Sequence, residues 1–202
     1  MIKVVKPLVF LLCLVPFFLL IGGALTNNLG ANPVETITHT TGDWTLRFLL
    51  ITLCVTPARR LTGWSFFHRF RRMFGLFAFF YNVLHFTIYC LSIQALNFTE
   101  IGIDIAKRKY ITVGFTGFVL MIPLAITSTK KWIGRLGGKR WQMLHRLIYV
   151  SAIAGVLHYL WLVKADIRYP VRYGIGLGVL LLFRIWAAAR AGPRLPVKAI
   201  GG

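Results

Sequence analysis

Six apolar stretches alternate with polar, turn-rich or basic segments along this chain, and each stretch predicts a membrane-spanning helix. They cover residues 7–25, 44–57, 73–96, 110–127, 144–163 and 171–189. Five are close to the roughly 20 residues a helix needs to cross a bilayer. The second is the weakest, being short and holding Arg47 near its start. Between them, residues 27–43, 97–109 and 128–140 are expected to be loops, 59–72 a strongly basic connection, and 166–170 a turn. The first stretch follows Lys3 and Lys6, as a signal peptide would. It is longer than the usual h-region of about 7–15 residues and lacks an A-x-A site, so a retained helix kinked at Pro16 is predicted. The tail beyond residue 189 is polar and basic. The predicted fold class is therefore all-α: a polytopic membrane bundle of six transmembrane helices forming one domain over residues 1–202.

Composition supports the bilayer reading. The 202 residues are 57% hydrophobic, with a mean hydropathy of +0.69, beyond the about 45–50% apolar content of a soluble domain. The formal charge is +19, from 24 Lys and Arg against 5 Asp and Glu. Such a balance in a soluble protein would suggest nucleic acid, but here the cations cluster at the ends of apolar stretches, which is a topology signal. With a cytoplasmic N-terminus, 17 of the 24 Lys and Arg fall on the inside, and all five carboxylates (Glu35, Asp43, Glu100, Asp104, Asp166) fall in outside loops. Both termini are then cytoplasmic, in an inner membrane. Cys13, Cys54 and Cys90 show neither C-x-x-C nor metal-ligand spacing, and are expected to be small buried hydrophobes.

The candidate chemistry lies in histidines at membrane depth, where an ionisable side chain is costly unless something holds it. His85 lies 14 residues beyond Arg71, and His158 lies 13 beyond His145. At about 1.5 Å per residue, each is roughly 20 Å from the inner end of its helix. Two neutral imidazoles at one depth on neighbouring helices predict a bis-histidine haem site suited to electron transfer. His145 has Arg71 and Arg72 at its own depth, and arginine offers iron no lone pair. Three alternatives follow: no inner haem, one held by His145 with another group, or His145 alternating with His158. Thirteen steps of about 100° leave His145 and His158 some 140° apart. The fifth span must then be bent or rewound, with Gly155 a candidate, or its histidines serve different neighbours. His39 and His68 are expected to be solvated or interfacial. No nucleophile–base constellation, paired carboxylates or zinc signature is present, so catalysis by this chain alone is not expected.

LGANPV at 29–34, RRMFGL at 71–76, TSTKKWIGRLGGKRWQMLH at 127–145 and HYLWLVK at 158–164 resemble the MsrQ family. Its members are the haem-binding membrane subunits of bacterial periplasmic protein-methionine-sulfoxide reductase systems, within the ferric-reductase-like transmembrane domains. The resemblance covers nearly the whole chain and implies His85, His145 and His158 as haem-iron ligands. It further implies one or two b-type haems, association with FMN, and electrons from the quinone pool or a cytosolic flavin reductase. The implied acceptor is a periplasmic molybdopterin-containing reductase that repairs oxidised proteins. Relatives in the broader group carry two bis-histidine haems, and Arg71 and Arg72 opposite His145 depart from that pattern. Within the implied role, Lys139 and Arg140 beside the Gly134/Gly137/Gly138 turn are candidates for a flavin phosphate, with Arg71 and Arg72 as further cofactor-binding candidates. Lys164 and Arg168 are candidates for haem propionates, and the acidic outer loops for docking the partner. A b-type cytochrome with another acceptor and a haem-free transporter or scaffold are the alternatives.

Overall fold

A computed structural model describes residues 2–93 and 96–190, all in helices and short connections. Arg194 and Lys198 of the basic tail, and residues 94–95 of the third stretch, lie outside the described residues. The helices are α1 (Ile2–Leu25), α2 (Pro33–Thr62), α3 (Arg71–Ile88, continued by a π turn at Tyr89–Ile93), α4 (Phe98–Lys107), α5 (Lys109–Ile126), α6 (Lys130–Leu136), α7 (Gly138–Leu144), α8 (Leu147–Leu162) and α9 (Arg168–Ala189). Among the described residues, five segments are long and apolar enough to cross a membrane: Lys3–Leu25, Arg71–Leu91, Lys109–Ile126, Gly138–Leu162 and Arg168–Ala189.

The remaining long helix, α2, departs most from the pattern. It has 30 residues and begins at Pro33, within the expected first loop. Asn32 caps it, its side chain accepting from the Glu35 N–H and donating to the Glu35 carboxylate. Gly63 closes it in the left-handed region at φ 73°. Its low hydropathy has a physical cause: α2 is the axis of the bundle. Leu46, Phe48, Leu49, Leu53 and Val55 are buried in protein, together with Thr41, Thr45 and Thr52. Each of those threonine hydroxyls donates to the carbonyl four residues earlier, so burial leaves none unpaired. Phe48 stacks on Phe77 and Tyr81 of α3 at 5.6 and 5.5 Å. On its other side α2 meets α9, where Arg60 donates to the Ala187 carbonyl and Arg184 to the Leu53 carbonyl.

Helices α5 and α8 form a second pair through small residues, a Cβ on Gly117 standing 3.2 Å from Ala154 Cβ. Two expected loops also hold helices. Residues 97–109 contain α4, capped by Asn97, and residues 128–140 contain α6, capped by Thr129, and the start of α7. The fifth span breaks at His145–Arg146, between α7 and α8, whereas Gly155 lies in the unbroken α8. Cys13 is buried and Cys90 half-buried, but Cys54 is exposed, so burial does not extend to all three.

Helix α1 touches the bundle along one side. The Tyr81 hydroxyl, fully buried, accepts from Phe17 N–H at 3.2 Å and donates to the Cys13 carbonyl at 2.9 Å. It thus sits in the α1 hydrogen-bond ladder next to Pro16, an insertion that bends helices. Tyr81→Phe is expected to destabilise the protein by about 1 kcal/mol through loss of these hydrogen bonds to α1, read as a lower thermal midpoint in detergent. An unchanged midpoint would mean that the hydroxyl does not hold α1.

Candidate functional site

His85, on α3, and His158, on α8, face each other with ring centres 6.1 Å apart and planes at 83°. Each ring is oriented by a backbone carbonyl. His85 Nδ1 lies 3.0 Å from Thr38 O on α2, and His158 Nδ1 lies 2.7 Å from Tyr110 O on α5. A carbonyl only accepts, so both Nδ1 atoms carry the proton and both Nε2 atoms keep their lone pairs. This is the tautomer a metal-ligating histidine uses, with its second nitrogen held by an outer partner.

The two cradles share one construction. Four residues beyond each accepting carbonyl stands a glycine, Gly42 after Thr38 and Gly114 after Tyr110. A Cβ on Gly42 would lie 3.2 Å from His85 Nδ1, and one on Gly114 only 2.6 Å from His158 Nδ1. The imidazole lies over the bare helix surface and thereby reaches the carbonyl one turn back. Neither glycine nor carbonyl was anticipated from the sequence. The available signal was a glycine inside an apolar helix, where it costs about 1 kcal/mol relative to alanine and so invites a packing reason.

Both rings line a cavity of about 250 Å³ between α2, α3, α5 and α8. Ser151 Oγ also lines it, buried and without a partner among the described residues. Arg108 is at its edge, paired with Asp104 and donating to the Tyr110 hydroxyl. Two imidazoles on one metal, at about 2 Å per nitrogen and with ring centres about 1.2 Å further back, would stand about 6.3 Å apart. The observed 6.1 Å, the shared tautomer and the glycine cradles fit a haem iron held between them.

His145 belongs to a second cavity, of about 520 Å³, with Arg71, Arg72, Arg146, Arg184 and His68. The Thr127 hydroxyl donates to the Pro123 carbonyl at 2.6 Å, so it accepts from His145 Nε2–H at 3.0 Å. The ring stacks on Trp141, with centres 3.9 Å apart. His145 and His158 thus have different neighbours and opposite tautomers, and the break at residues 145–146 separates their helices. Met121, 4% exposed, lines both cavities and accepts a hydrogen bond from Asn82 Nδ2. Burial and the cations of Arg71 and Arg59 push the His68 pKa below its ordinary value.

The other candidates lie elsewhere. Lys139 and Arg140 are exposed on α7, and Lys164 is exposed between α8 and α9. Neither cavity includes them. Arg168 is paired with Asp166 at 2.9 Å, and its hydrogen bonds hold that carboxyl below the usual range.

The class follows from comparison with known families: residues 41–156 match the ferric reductase like transmembrane component. The match takes in His85 and His145 and ends two residues before His158. With its several apolar helices, the chain is a multi-pass membrane protein. Among curated relatives, the protein-methionine-sulfoxide reductase heme-binding subunit MsrQ of Herminiimonas arsenicoxydans is 53% identical over 186 residues, covering 91% of this chain and 85% of the relative. Its counterpart from Ralstonia nicotianae is 50% identical, over 91% of this chain and 86% of the relative. That from Rhodospirillum rubrum is 49% identical, over 90% and 88%. The chain belongs to the MsrQ family.

Proposed function

We propose that this chain is the electron-transfer membrane subunit of a protein-methionine-sulfoxide reductase system, with a b-type haem held by His85 and His158. One observation carries the proposal: two imidazoles 6.1 Å apart whose Nδ1 atoms are both pinned to backbone carbonyls. A haem with both axial positions filled by histidine supplies a one-electron centre suited to transfer rather than to oxygen chemistry. The chain's own part is to bind and orient. Thr38 and Tyr110 fix the tautomers, and Gly42 and Gly114 admit the rings. His145 is proposed as a further ligand position, with the Thr127 hydroxyl now engaging its Nε2–H.

The topology proposed with this role has six spans, α2 included, and both termini on the cytoplasmic side of the inner membrane. Electrons would enter from the quinone pool or a cytosolic flavin reductase, with FMN as a second cofactor. They would leave to a periplasmic molybdopterin-containing reductase. The supports are family membership and the excess of Lys and Arg at the inside ends of the spans. Dithionite reduction of the purified protein is expected to give a b-type α-band, with haem and flavin then quantified per chain. Lack of that band would leave a haem-free transporter or scaffold. Co-purification with the molybdoenzyme separates the proposed acceptor from any other.

A further inference from the structure

Three exposed cations stand in a row where α4 meets α5: Lys107 ends α4, Lys109 begins α5, and Arg108 lies between them. Cations at this end of the bundle run against the topology signal. In the proposed orientation 17 of the 24 Lys and Arg lie inside, and three of the other seven are consecutive here. Arg108 is committed within the chain, to Asp104 and to the Tyr110 hydroxyl. Lys107 and Lys109 form no ion pair among the described residues.

The carboxylates at this end, expected to dock a partner, are mostly engaged. Glu35 accepts from Asn32, and Asp43 pairs with Arg47. Asp104 pairs with Arg108 and accepts from Tyr89, and Asp166 pairs with Arg168. The charge left to meet a partner is therefore chiefly positive. The junction also supports His158. Its Nδ1 donates to the Tyr110 carbonyl, its ring centre lies 6.1 Å from the Tyr110 ring, and Lys109 is the residue before Tyr110. One hydrogen bond and one residue of backbone separate the imidazole from an exposed lysine.

We propose that the Lys107–Lys109 junction is the docking surface for the electron acceptor, which presents carboxylates to it over the His158 end of the cavity. The inference rests on the role proposed above for the histidine pair. One electron crosses: the ferrous centre is oxidised and the molybdenum centre of the docked protein is reduced, with no bond made or broken. Transient electron-transfer complexes bury little area and depend on charge for encounter, so a compact cationic cluster suffices to steer one.

The test uses the full-length protein in phosphatidylcholine nanodiscs and the purified periplasmic molybdopterin-containing reductase. Association is measured by biolayer interferometry, and reoxidation of the dithionite-reduced α-band by stopped flow. Both are expected to slow as salt is raised. Lys109→Gln should lower the association rate about threefold, and Lys107→Gln with Lys109→Gln about tenfold, with a shallower salt dependence. Electron transfer at saturating reductase, the α-band and the thermal midpoint should stay as in the parent. Arg172→Gln, the same change of charge at an exposed position of α9, should leave association unchanged. The proposal is overturned if the parent shows no salt-dependent association, or if the double variant associates like the parent. In the latter case, lost retention of phosphatidylglycerol by the double variant would assign the lysines to lipid headgroups. A missing α-band would fail the haem assignment, while the association assay still reports the surface.

Discussion

Replacement of His85 or His158 by alanine is expected to remove most of the reduced α-band and to lower haem per chain at least about tenfold, since losing the ligand itself should cost no less than losing its outer partner. Both residues present the same nitrogen to one cavity from different helices, so neither substitutes for the other. The change also removes a ring packed against a glycine, and folding must be read independently, as the thermal midpoint and a monodisperse elution profile. Added imidazole should restore part of the band in either alanine variant, because the opposite ring and its carbonyl partner remain in place. His145→Ala should keep the band of the His85–His158 centre, since its ring points to Thr127 from the other cavity. Full haem retention in both His85→Ala and His158→Ala would sink the assignment.

The glycine cradles predict a graded second series. Gly114→Ala places a methyl group 2.6 Å from His158 Nδ1, a separation that atoms do not tolerate, so the ring must leave the Tyr110 carbonyl. Haem affinity is expected to fall about 10–100-fold, as when a metal-ligating histidine loses its outer partner. Gly42→Ala meets His85 at 3.2 Å, where a shift of a few tenths of an ångström suffices, and a smaller loss is expected. Alanine favours helix by about 1 kcal/mol over glycine, which offsets part of the cost of displacing the ring, so the stability of the haem-free protein should fall far less than its haem affinity. A loss of affinity much larger than the loss of apo-protein stability marks a positioning role. Equal haem binding by Gly114→Ala and the parent would show that the cradle is not needed.

The matched depth of His85 and His158 was legible because helical rise is nearly constant, and the bundle brings the two rings together as that count implied. The apolar spans were legible where helices face lipid, as α1 does with Leu8, Leu11, Leu12, Phe18 and Leu19 exposed. Hydropathy misjudged α2 because it measures partition into lipid, whereas α2 is buried by other helices. Helix starts inside expected loops were missed despite a visible signal at two of them. Asn32 with Glu35 and Asn97 with Glu100 have capping-box spacing, and both asparagines cap a helix. The cradles were not legible, because a glycine's role there depends on which side chain arrives from another helix. The arginine cavity was half legible. Arg71 and Arg72 were placed beside His145, but Arg146 and Arg184 come from segments whose approach only the fold reveals.

The burial of α2 bears on how the protein is made. The second span is short and weakly apolar, with Arg47 near its start, and α2 carries three buried threonines. In the six-span arrangement such a segment would not leave the translocon alone. It would enter lipid as a hairpin with α3, whose Phe77 and Tyr81 stack on Phe48. A nascent chain halted between α2 and α3 would then remain accessible to water.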